Sequence, residues 1–408
     1  MNDRIPVVFR AFRHRNFRLF MGGQLLSMAG TWVQRVAQGW LAYRLSGSPL
    51  LLGAVTFAGS APAFLLAPLA GVVADRINRH RMLIAAQSLA MLQSLLLAYV
   101  TLSGSMTAGR LIGFALVLGA ITAFENPARQ SFFVELVSRD DLPNAIALNA
   151  SMVNAARVIG PALAGLVVAA YGEGFCFLLN ALSFVAVLLA LLMMKLTPKP
   201  TEAARHSQFE QFRVGWAFIR RTPFVRALLT VFGILNLAGT AYLTLLPIFA
   251  ATVLHVGPKG LGWLMAASGA GAVATATMMA SQQDARHLPR AVLAAVFTSA
   301  LALIIVGLSR SFALTLLMMV LTGGSYVLTL AATQTLLQTG VPDELRGRVM
   351  SFYSVIFLGF QPVGGLLAGW LAERIGAPRT VLTGGVICLF GALQYQMNLR
   401  QTRITGLE

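Results

Sequence analysis

The chain has 408 residues, of which 57% are hydrophobic and only 11% are charged, and it carries a formal net charge of +17. Soluble globular domains contain about 25% charged residues, so this composition excludes a soluble protein. The mean hydropathy of +0.74 indicates an integral membrane protein.

Long apolar segments recur from one end of the chain to the other. A helix needs about 20 apolar residues to cross a hydrocarbon core of ~30 Å. The alternating pattern of membrane β-strands is missing from the sequence. We therefore predict an all-α membrane protein with twelve transmembrane helices, near residues 17–44, 49–74, 82–103, 109–137, 142–170, 175–195, 224–252, 258–280, 290–308, 312–340, 345–373 and 378–398.

The amino terminus is basic and reads "RIPVVFRAFRHRNFR" before the first apolar segment. That segment is too long for a signal peptide and lacks a small-residue cleavage site, so we predict a retained helix. Most of the 31 Lys and Arg residues fall at the two termini and in the even-numbered hairpins. The positive-inside rule then predicts that both termini are cytoplasmic. Because topology explains the basic excess, we predict no nucleic-acid partner.

Enzymatic signals are weak in this sequence. The segment "SGAGAVA" at 268–274 mimics a dinucleotide-binding turn, but it lies inside an apolar span without a preceding soluble strand. No P-loop motif is present, Cys176 and Cys388 fall inside predicted spans, and the five histidines lie outside the spans or at their edges. We predict a protein that is not an enzyme and uses no metal and no cofactor.

The two halves of the chain resemble each other. "LLSMAGTW" at 25–32 is similar to "ILNLAGTA" at 234–241, and "GPALAG" at 160–165 is similar to "GGLLAG" at 364–369. Such parallel repeats are typical of secondary transporters, in which a two-fold axis along the membrane normal relates the halves and the substrate binds between them. We therefore predict two pseudo-symmetric six-helix bundles.

The bundles are predicted over residues 1–195 and 224–408, joined by a cytoplasmic linker at 196–223. Apolar side chains recur at helical spacing among Arg and Gln within the linker, namely Phe209, Phe212, Trp216 and Ile219. This pattern is compatible with a helix lying in the membrane interface. A linker without a defined role explains the same segment equally well.

Ionisable residues inside membrane spans are costly and often functional. The segment "FENPARQ" places Glu125 and Arg129 in the fourth predicted span, where Pro127 and Gln130 fit a helix end. Burial favours the protonated form of a carboxylate, whereas a nearby guanidinium favours the charged form. Glu125 is therefore a candidate proton carrier, with Arg129 as its partner.

Two other roles for Glu125 stay open. It could form a permanent structural pair with Arg129 at i, i+4, or it could join a cytoplasmic cluster with Asp75 and Arg79. The equivalent positions of the second half carry Thr329 and Thr333, so the fold does not require the pair twice.

The loop after the second span reads "GVVADRINRHR". It resembles the G-x-x-x-D-R-x-x-R-R/x signature of the major facilitator superfamily, and a degenerate copy, "ASQQDARHLPR", follows in the second half. The alternative is a merely basic hairpin. The resemblance implies a conformational latch that does not touch substrate, formed by Gly71, Asp75, Arg76, Arg79 and Arg81.

The fifth span contains "NAARVIGPALAG", whose Gly160, Pro161 and Gly165 can bend the helix and let a neighbour pack closely. This stretch resembles the G-P motif of exporters, although Ala156 replaces the upstream glycine. Together with "GTWVQRVAQGWLAYRLSGSPLLLG" and "NPARQSFFVELV", it resembles the drug:proton antiporter subfamily that includes enterobactin exporters, macrolide efflux proteins and transmembrane secretion effectors. The resemblance implies the major facilitator fold and export.

Three intramembrane arginines, Arg35, Arg129 and Arg157, outnumber the single intramembrane acid, Glu125. A desolvated cation needs an anion, so we predict an anionic or zwitterionic solute. The predicted lining residues of the cavity are Arg35, Arg157, Gln24, Gln38, Asn154, Tyr242, Tyr326, Gln334, Tyr353 and Gln361.

These observations predict a multi-pass exporter of the bacterial inner membrane, driven by the proton gradient and working by alternating access. Its predicted partners are the lipid bilayer and a small solute such as a siderophore, and we expect a monomer. Alternatives are a multidrug or macrolide pump, a lysophospholipid flippase and a non-transporting membrane scaffold.

Overall fold

We describe a computed structural model of the chain over residues 7–194, 208–280 and 287–404. Within these ranges the chain is helical and contains no β-strand. A 3-10 helix at Val7–Arg13 is followed by fifteen α-helices: α1 Arg15–Ser46, α2 Pro49–Leu65, α3 Ala67–Arg76, α4 Arg79–Leu102, α5 Ala108–Leu136, α6 Leu142–Tyr171, α7 Glu173–Leu192, α8 Gln208–Arg221, α9 Pro223–Ile234, α10 Tyr242–Ile248, α11 Gly257–Ala280, α12 Leu288–Leu308, α13 Phe312–Gly340, α14 Asp343–Ile375 and α15 Ala377–Ile404.

The predicted spans coincide with helices to within a few residues, except at 224–252, which is divided among α9, α10 and two π-helical turns, and near Leu66. There α2 ends and α3 begins with a proline in its first turn, a position where proline favours the start of a helix. Within the described ranges, ten helices are long and apolar enough to cross a membrane, and α2 has only 17 residues. The chain is therefore a multi-pass membrane protein, while twelve spans and cytoplasmic termini stay predictions.

The proline of "FENPARQ" does not end its helix. Pro127 lies inside α5, which continues to Leu136. A proline removes one backbone hydrogen bond and kinks a helix. The helix nevertheless continues because Phe132, Phe133 and Leu136 beyond the proline are buried in the core of the bundle. The expectation of a helix end at Pro127 was therefore wrong.

The chain separates into two compact units. The first contains residues 1–45 and 58–204, and its core includes a cluster of phenylalanines from α1 and α5. Phe20 makes edge contacts with Phe132 and Phe133 at ring separations of 5.6 and 5.4 Å. On one face of α4, three leucines at helical spacing are exposed, namely Leu89, Leu92 and Leu96. Such a face is expected for a surface that contacts lipid.

A network of buried amides and hydroxyls joins three helices of the first unit. Gln34 of α1 accepts hydrogen bonds from Ser94 of α4 and from Asn180 of α7, each at 2.8 Å. The Gln34 amide donates to Gln93 at 3.2 Å. Gly30 lies beside Asn180 and Ser183, so α1 and α7 approach closely there. The network satisfies polar groups that would be costly if unpaired in a membrane.

The second unit contains residues 46–57 and 205–408. Its first segment packs on α14, where Glu373 accepts hydrogen bonds from the Ser48 hydroxyl at 2.8 Å and from the Leu50 backbone N–H at 3.2 Å. Further along, two π-helical turns, Leu235–Gly239 and Phe249–Val253, flank α10. Such turns re-aim side chains and are frequent at functional sites.

The linker segment 208–221 forms α8, which packs against α14 in the second unit. Gly215 lies against Arg348 and Phe352, and the ring of Trp216 stacks on that of Phe352 at 5.9 Å. A helix is therefore present where the sequence was equally compatible with a plain linker. The position of this helix in the membrane interface stays a prediction.

Candidate transport site

Glu125 of α5 is held by two neighbours. The Nε2 atom of Gln87 on α4 donates a hydrogen bond to Glu125 Oε1 at 3.1 Å. Arg129, one turn further along α5, places its Nε atom 3.7 Å from the same oxygen. The two charged side chains are only 15% and 16% exposed. Both the proton carrier and the permanent structural pair remain compatible with this geometry.

Arg129 directs its other nitrogens elsewhere. One terminal nitrogen donates to Asn126 Oδ1 at 3.0 Å and the other to the sulfur of Met28 at 3.6 Å. Its buried Nε atom makes no hydrogen bond to any described residue. The contact with Glu125 is therefore an ion pair without a hydrogen bond, which is weaker than a charge-assisted bidentate pair.

Gln87 is absent from the set of site residues predicted from the sequence. Its side chain is 1% exposed, and its Oε1 atom accepts a hydrogen bond from the Ser27 hydroxyl at 3.4 Å. The signal was available, because Gln87 is an amide inside the apolar span predicted at 82–103. Gln24 and Gln38 were predicted as site residues because they are amides inside apolar spans, and Gln87 has the same property.

One face of α1 gathers the arginines of the site. Met28, Trp32 and Arg35 occupy positions i, i+4 and i+7, which lie on the same side of a helix. Met28 contacts Arg129. The Trp32 ring lies 5.4 Å from Cζ of Arg35 and 6.0 Å from Cζ of Arg157 on α6. The first unit thus brings together the four charged residues that the sequence singled out.

Gly160 explains how α6 reaches α1. A Cβ atom at this position would lie 2.4 Å from Cβ of Trp32 and 3.1 Å from the carbonyl oxygen of Ala29. Only glycine permits this separation. Pro161 and Gly165 are also buried in α6, which continues to Tyr171. The motif therefore sets the distance between the Trp32 ring and α6.

The latch predicted from the resemblance is described in part. Arg79 pairs with Glu135 at 3.1 Å and donates to the Ser131 carbonyl at 3.5 Å. The side chains of Asp75 and Arg76 lie outside the described residues. Arg81 is exposed, and a Cβ atom at Gly71 would meet no described atom within 4 Å. Close packing at Gly71 is thus not observed.

For the alternative that placed Glu125 in a cluster with Asp75 and Arg79, the structure shows no contact between Glu125 and Arg79, and the side chain of Asp75 lies outside the described residues. Arg79 forms an ion pair with Glu135 at the end of α5. The described partners of Glu125 are Gln87 and Arg129. Glu125 precedes Glu135 by about three helical turns, which is ~15 Å along the axis. In the second half, Thr329 and Thr333 are buried at the equivalent positions.

The remaining predicted lining residues differ in environment. Gln24 and Gln38 are buried, and Oε1 of Gln24 and Nε2 of Gln38 have no hydrogen-bond partner among the described residues. Asn154 and Gln361 are partly buried and Gln334 is exposed. The three tyrosines bond within the second unit, Tyr242 with Ser268, Tyr326 with Asn236 Oδ1 and Tyr353 with the Leu330 carbonyl, each at 3.2 Å.

An acidic residue at the start of α6 anchors the amino-terminal 3-10 helix. Asp141 lies 2.9 Å from His14 Nε2, accepts from the Ser138 hydroxyl at 3.3 Å and faces Arg10 at 3.7 Å. The hydrogen bond to His14 lowers the pKa of the Asp141 carboxyl below its ordinary value, assisted by Ser138 and Arg10, although partial desolvation opposes the shift. This cluster is absent from the site residues predicted from the sequence.

The fold and the charged site within apolar helices define a membrane transport protein. Residues 7–407 match the family of transmembrane secretion effectors. The chain therefore belongs to this family, which is a branch of the major facilitator superfamily. The resemblance recognised from the sequence motifs is confirmed.

Three characterised relatives illustrate the range of the family. The staphyloferrin A transporter of Staphylococcus aureus is 26% identical, and the alignment covers 91% of this chain and 94% of the relative. The multidrug efflux pump Tap of Mycolicibacterium fortuitum is 26% identical, with coverage of 89% and 91%. The enterobactin exporter EntS of Citrobacter koseri is 28% identical, with coverage of 83% and 79%.

Solved transporters share the fold. A bacterial homologue of the human lysosomal transporter Spinster superposes with a TM-score of 0.72 at 14% identity, covering 95% of this chain and 96% of that one. The nucleoside transporter NupG gives 0.73 at 12% identity, with coverage of 97% and 99%. At these identities the similarity extends to the fold alone.

Proposed function

We propose that this protein is a proton-driven secondary active exporter in the bacterial inner membrane. It moves a small anionic or zwitterionic organic solute, such as a siderophore, by alternating access. The observation that carries the proposal is the environment of Glu125, a carboxylate inside the bundle that shares its Oε1 atom between Gln87 and a loosely held Arg129.

The loose pair suits a carboxylate that must change its charge. Because Arg129 Nε is 3.7 Å from Glu125, protonation of the carboxyl breaks no hydrogen bond between them. Asn126 and Met28 hold Arg129 independently, so its position does not depend on a charged Glu125. Because both residues lie on α5, a change of side-chain rotamer in either one would separate the two groups and change which form of Glu125 is favoured.

The excess of cations supports an anionic solute. Glu125, Arg157 and Arg129 all act electrostatically on Arg35, so three positive charges and one negative charge share this part of the first unit. Two relatives are named for the siderophores staphyloferrin A and enterobactin, which supports the solute class. The name of the enterobactin relative supports the direction of transport.

A multidrug efflux pump is the second candidate. The Tap relative matches at the same identity as the staphyloferrin A relative. In the second unit, the Tyr353 ring stacks on Phe232 at 4.7 Å and on Phe357 at 6.4 Å, but Phe232 and Tyr353 are buried in the core, so this stack is not itself a binding surface. Export of cationic dyes in preference to carboxylates would favour this candidate.

The test measures proton movement in energised everted vesicles with a pH-sensitive dye. Candidate solutes are carboxylate and catecholate iron chelators, with ethidium as the cationic comparison. An antiporter releases protons from the vesicle when its solute enters. We expect Glu125→Gln to keep expression and solute binding but to abolish this release, and unchanged release in that variant contradicts the proton-carrier role.

Two further variants separate coupling from structure. Glu173→Gln neutralises another buried carboxylate, which pairs with Arg44 at 2.8 Å outside the site, and we expect it to keep proton-coupled export. The double variant Glu125→Gln with Arg129→Gln removes both charges of the pair. A purely structural pair predicts that the double variant regains export, whereas a proton carrier predicts that it stays inactive.

A further inference from the structure

The ring of Trp32 lies beside two guanidinium groups. Arg35 comes from the next turn of α1 and Arg157 comes from α6, with Cζ atoms 5.4 and 6.0 Å from the ring centroid. Since both are near one indole, the two charges lie within the span of a single small molecule. Gly160 fixes the arrangement, because it lets α6 approach to contact distance at Trp32.

Two like charges at this separation repel each other, and the repulsion grows in a low-dielectric environment. A cation near an aromatic ring is attracted by the quadrupole of the ring. Arg35 makes no ion pair within 4 Å among the described residues. Glu125 acts on Arg35 at longer range, but its carboxylate already contacts Gln87 and Arg129.

Arg35 differs in exposure from its neighbours on α1. This side chain is exposed although its neighbours Gln34 and Val36 on α1 are buried. It lies eleven residues before the end of α1 at Ser46, about 16 Å along the helix and well inside the span. A guanidinium facing lipid at that depth is costly, so this face of α1 borders water or a polar solute.

Guanidinium groups recognise carboxylates through two parallel hydrogen bonds. Two such groups beside one flat apolar ring match a molecule with two carboxylates separated by a short carbon chain. We propose that Arg35, Arg157 and Trp32 form a binding site for a dicarboxylate solute. Each guanidinium takes one carboxylate, and the indole packs against the carbon chain between them. This inference rests on the proposed function for its assumption that the bound solute is the one exported.

We expect this site to distinguish solutes that share one carbon skeleton but differ in the number of carboxylates. The probes are glutarate, adipate and suberate, each compared with its own monoamide, which has the same shape and one carboxylate fewer. Binding is measured by calorimetry on the purified full-length protein in detergent at low salt, without a proton gradient. We expect the best diacid to bind at least about tenfold more tightly than its monoamide, which corresponds to about 1.4 kcal/mol.

The variants assign the preference to the two arginines. Arg35→Gln and Arg157→Gln should each bring the diacid and the monoamide to within about twofold of each other. Arg35→Lys keeps the charge but not the paired hydrogen bonds, and we expect it to retain part of the preference. Trp32→Phe should weaken both probes equally. Arg110→Gln, at the start of α5 where Arg110 bonds to the Ser105 carbonyl, serves as the control with wild-type preference.

Three results would overturn the dicarboxylate site. They are equal affinities for diacid and monoamide in the wild type, an undiminished preference in a folded Arg35→Gln variant, and tighter binding of a phosphomonoester of the same length than of any diacid. If Arg157→Gln does not fold, Arg35→Gln and Arg35→Lys decide the question. Because no gradient is applied, Glu125→Gln should keep the preference even though it abolishes export. Absence of proton-coupled export in the wild type, with the diacid preference intact, would therefore refute the proposed function and leave the binding site standing.

Discussion

Gln87 of α4 donates a hydrogen bond of 3.1 Å to the carboxylate of Glu125 on α5. This bond is a link between different helices, whereas the partner recognised in the sequence, Arg129, lies on the same helix as Glu125. The bond fixes one carboxylate oxygen and leaves Oε2 available for other contacts. Gln87 is therefore a positioning residue for the candidate proton carrier.

Replacing Gln87 with Leu should lower the free energy of unfolding by about 1–3 kcal/mol, because a buried carboxylate oxygen loses its donor. The measurement is unfolding in detergent of the wild type, Gln87→Leu, Glu125→Gln and the double variant. We expect a coupling energy of about 0.5–3 kcal/mol between the two sites. Gln130→Leu changes an exposed amide on α5 and should shift stability by less than about 0.5 kcal/mol. Additive effects at positions 87 and 125 would argue against the observed bond.

Adding a methyl group at Gly160 should destabilise the first unit. The new Cβ atom would overlap Trp32, and overpacking of this kind costs about 1–3 kcal/mol. Gly113→Ala is the matched control, because a Cβ atom there meets nothing within 4 Å and alanine favours a helix by about 0.5–1 kcal/mol over glycine. Opposite signs for the two changes in thermal unfolding are expected. Equal shifts would show that helix propensity alone decides both.

Charge reversal tests the contact between Arg79 and Glu135. The two side chains are 25% and 22% exposed, so loss of the pair should cost at most about 1 kcal/mol of stability. We expect Arg79→Glu to reduce dye-reported export and the swap Arg79→Glu with Glu135→Arg to restore most of it. Arg81→Glu, at an exposed position two residues away, should have less effect. If the swap stays as defective as the single variant, Arg79 acts through another partner.

Acid should weaken the anchoring of the amino-terminal 3-10 helix. The folded protein lowers the pKa of Asp141, so the contribution of this carboxylate to stability is fully present above the unfolded value of about 3.9. It is lost as the pH falls through the lower folded value. The stability difference between the wild type and Asp141→Asn should therefore shrink from about pH 6 to about pH 3. Asp140→Asn, an exposed neighbour, should show a small difference throughout, and a difference at position 141 that is independent of pH would contradict the assignment.

Much of the fold follows from local features of the sequence. The span predicted at 312–340 coincides with α13, because its apolar run ends where glycine and proline follow. The break at Leu66 was missed, since the apolar run continues across it and only a proline two residues later marks the new helix. The helix around Pro127 continues for a reason that lies in the core, which local sequence does not specify.

For the candidate site, too, some residues could be predicted from local sequence features and others could not. Charge is conspicuous in an apolar span, so the sequence alone pointed to Glu125, Arg129, Arg35 and Arg157. Gly160 was found because it belongs to a motif. The pairs Gln87 with Glu125, Arg79 with Glu135 and His14 with Asp141 join residues that are 38, 56 and 127 positions apart. Such pairings depend on how helices pack, and local sequence patterns do not specify that packing.

The hydrogen-bond network of the first unit joins residues that are made at different times during synthesis of the chain. Gln34 is made 146 residues before Asn180, which donates to it. At a synthesis rate of about 5–20 residues per second, Asn180 is made roughly 7–30 s after Gln34. During that interval Gln34 can accept from Ser94 of α4 but lacks its second donor, Asn180. The first unit therefore completes this network only after most of its chain has been made, when α7 docks on α1 and α4.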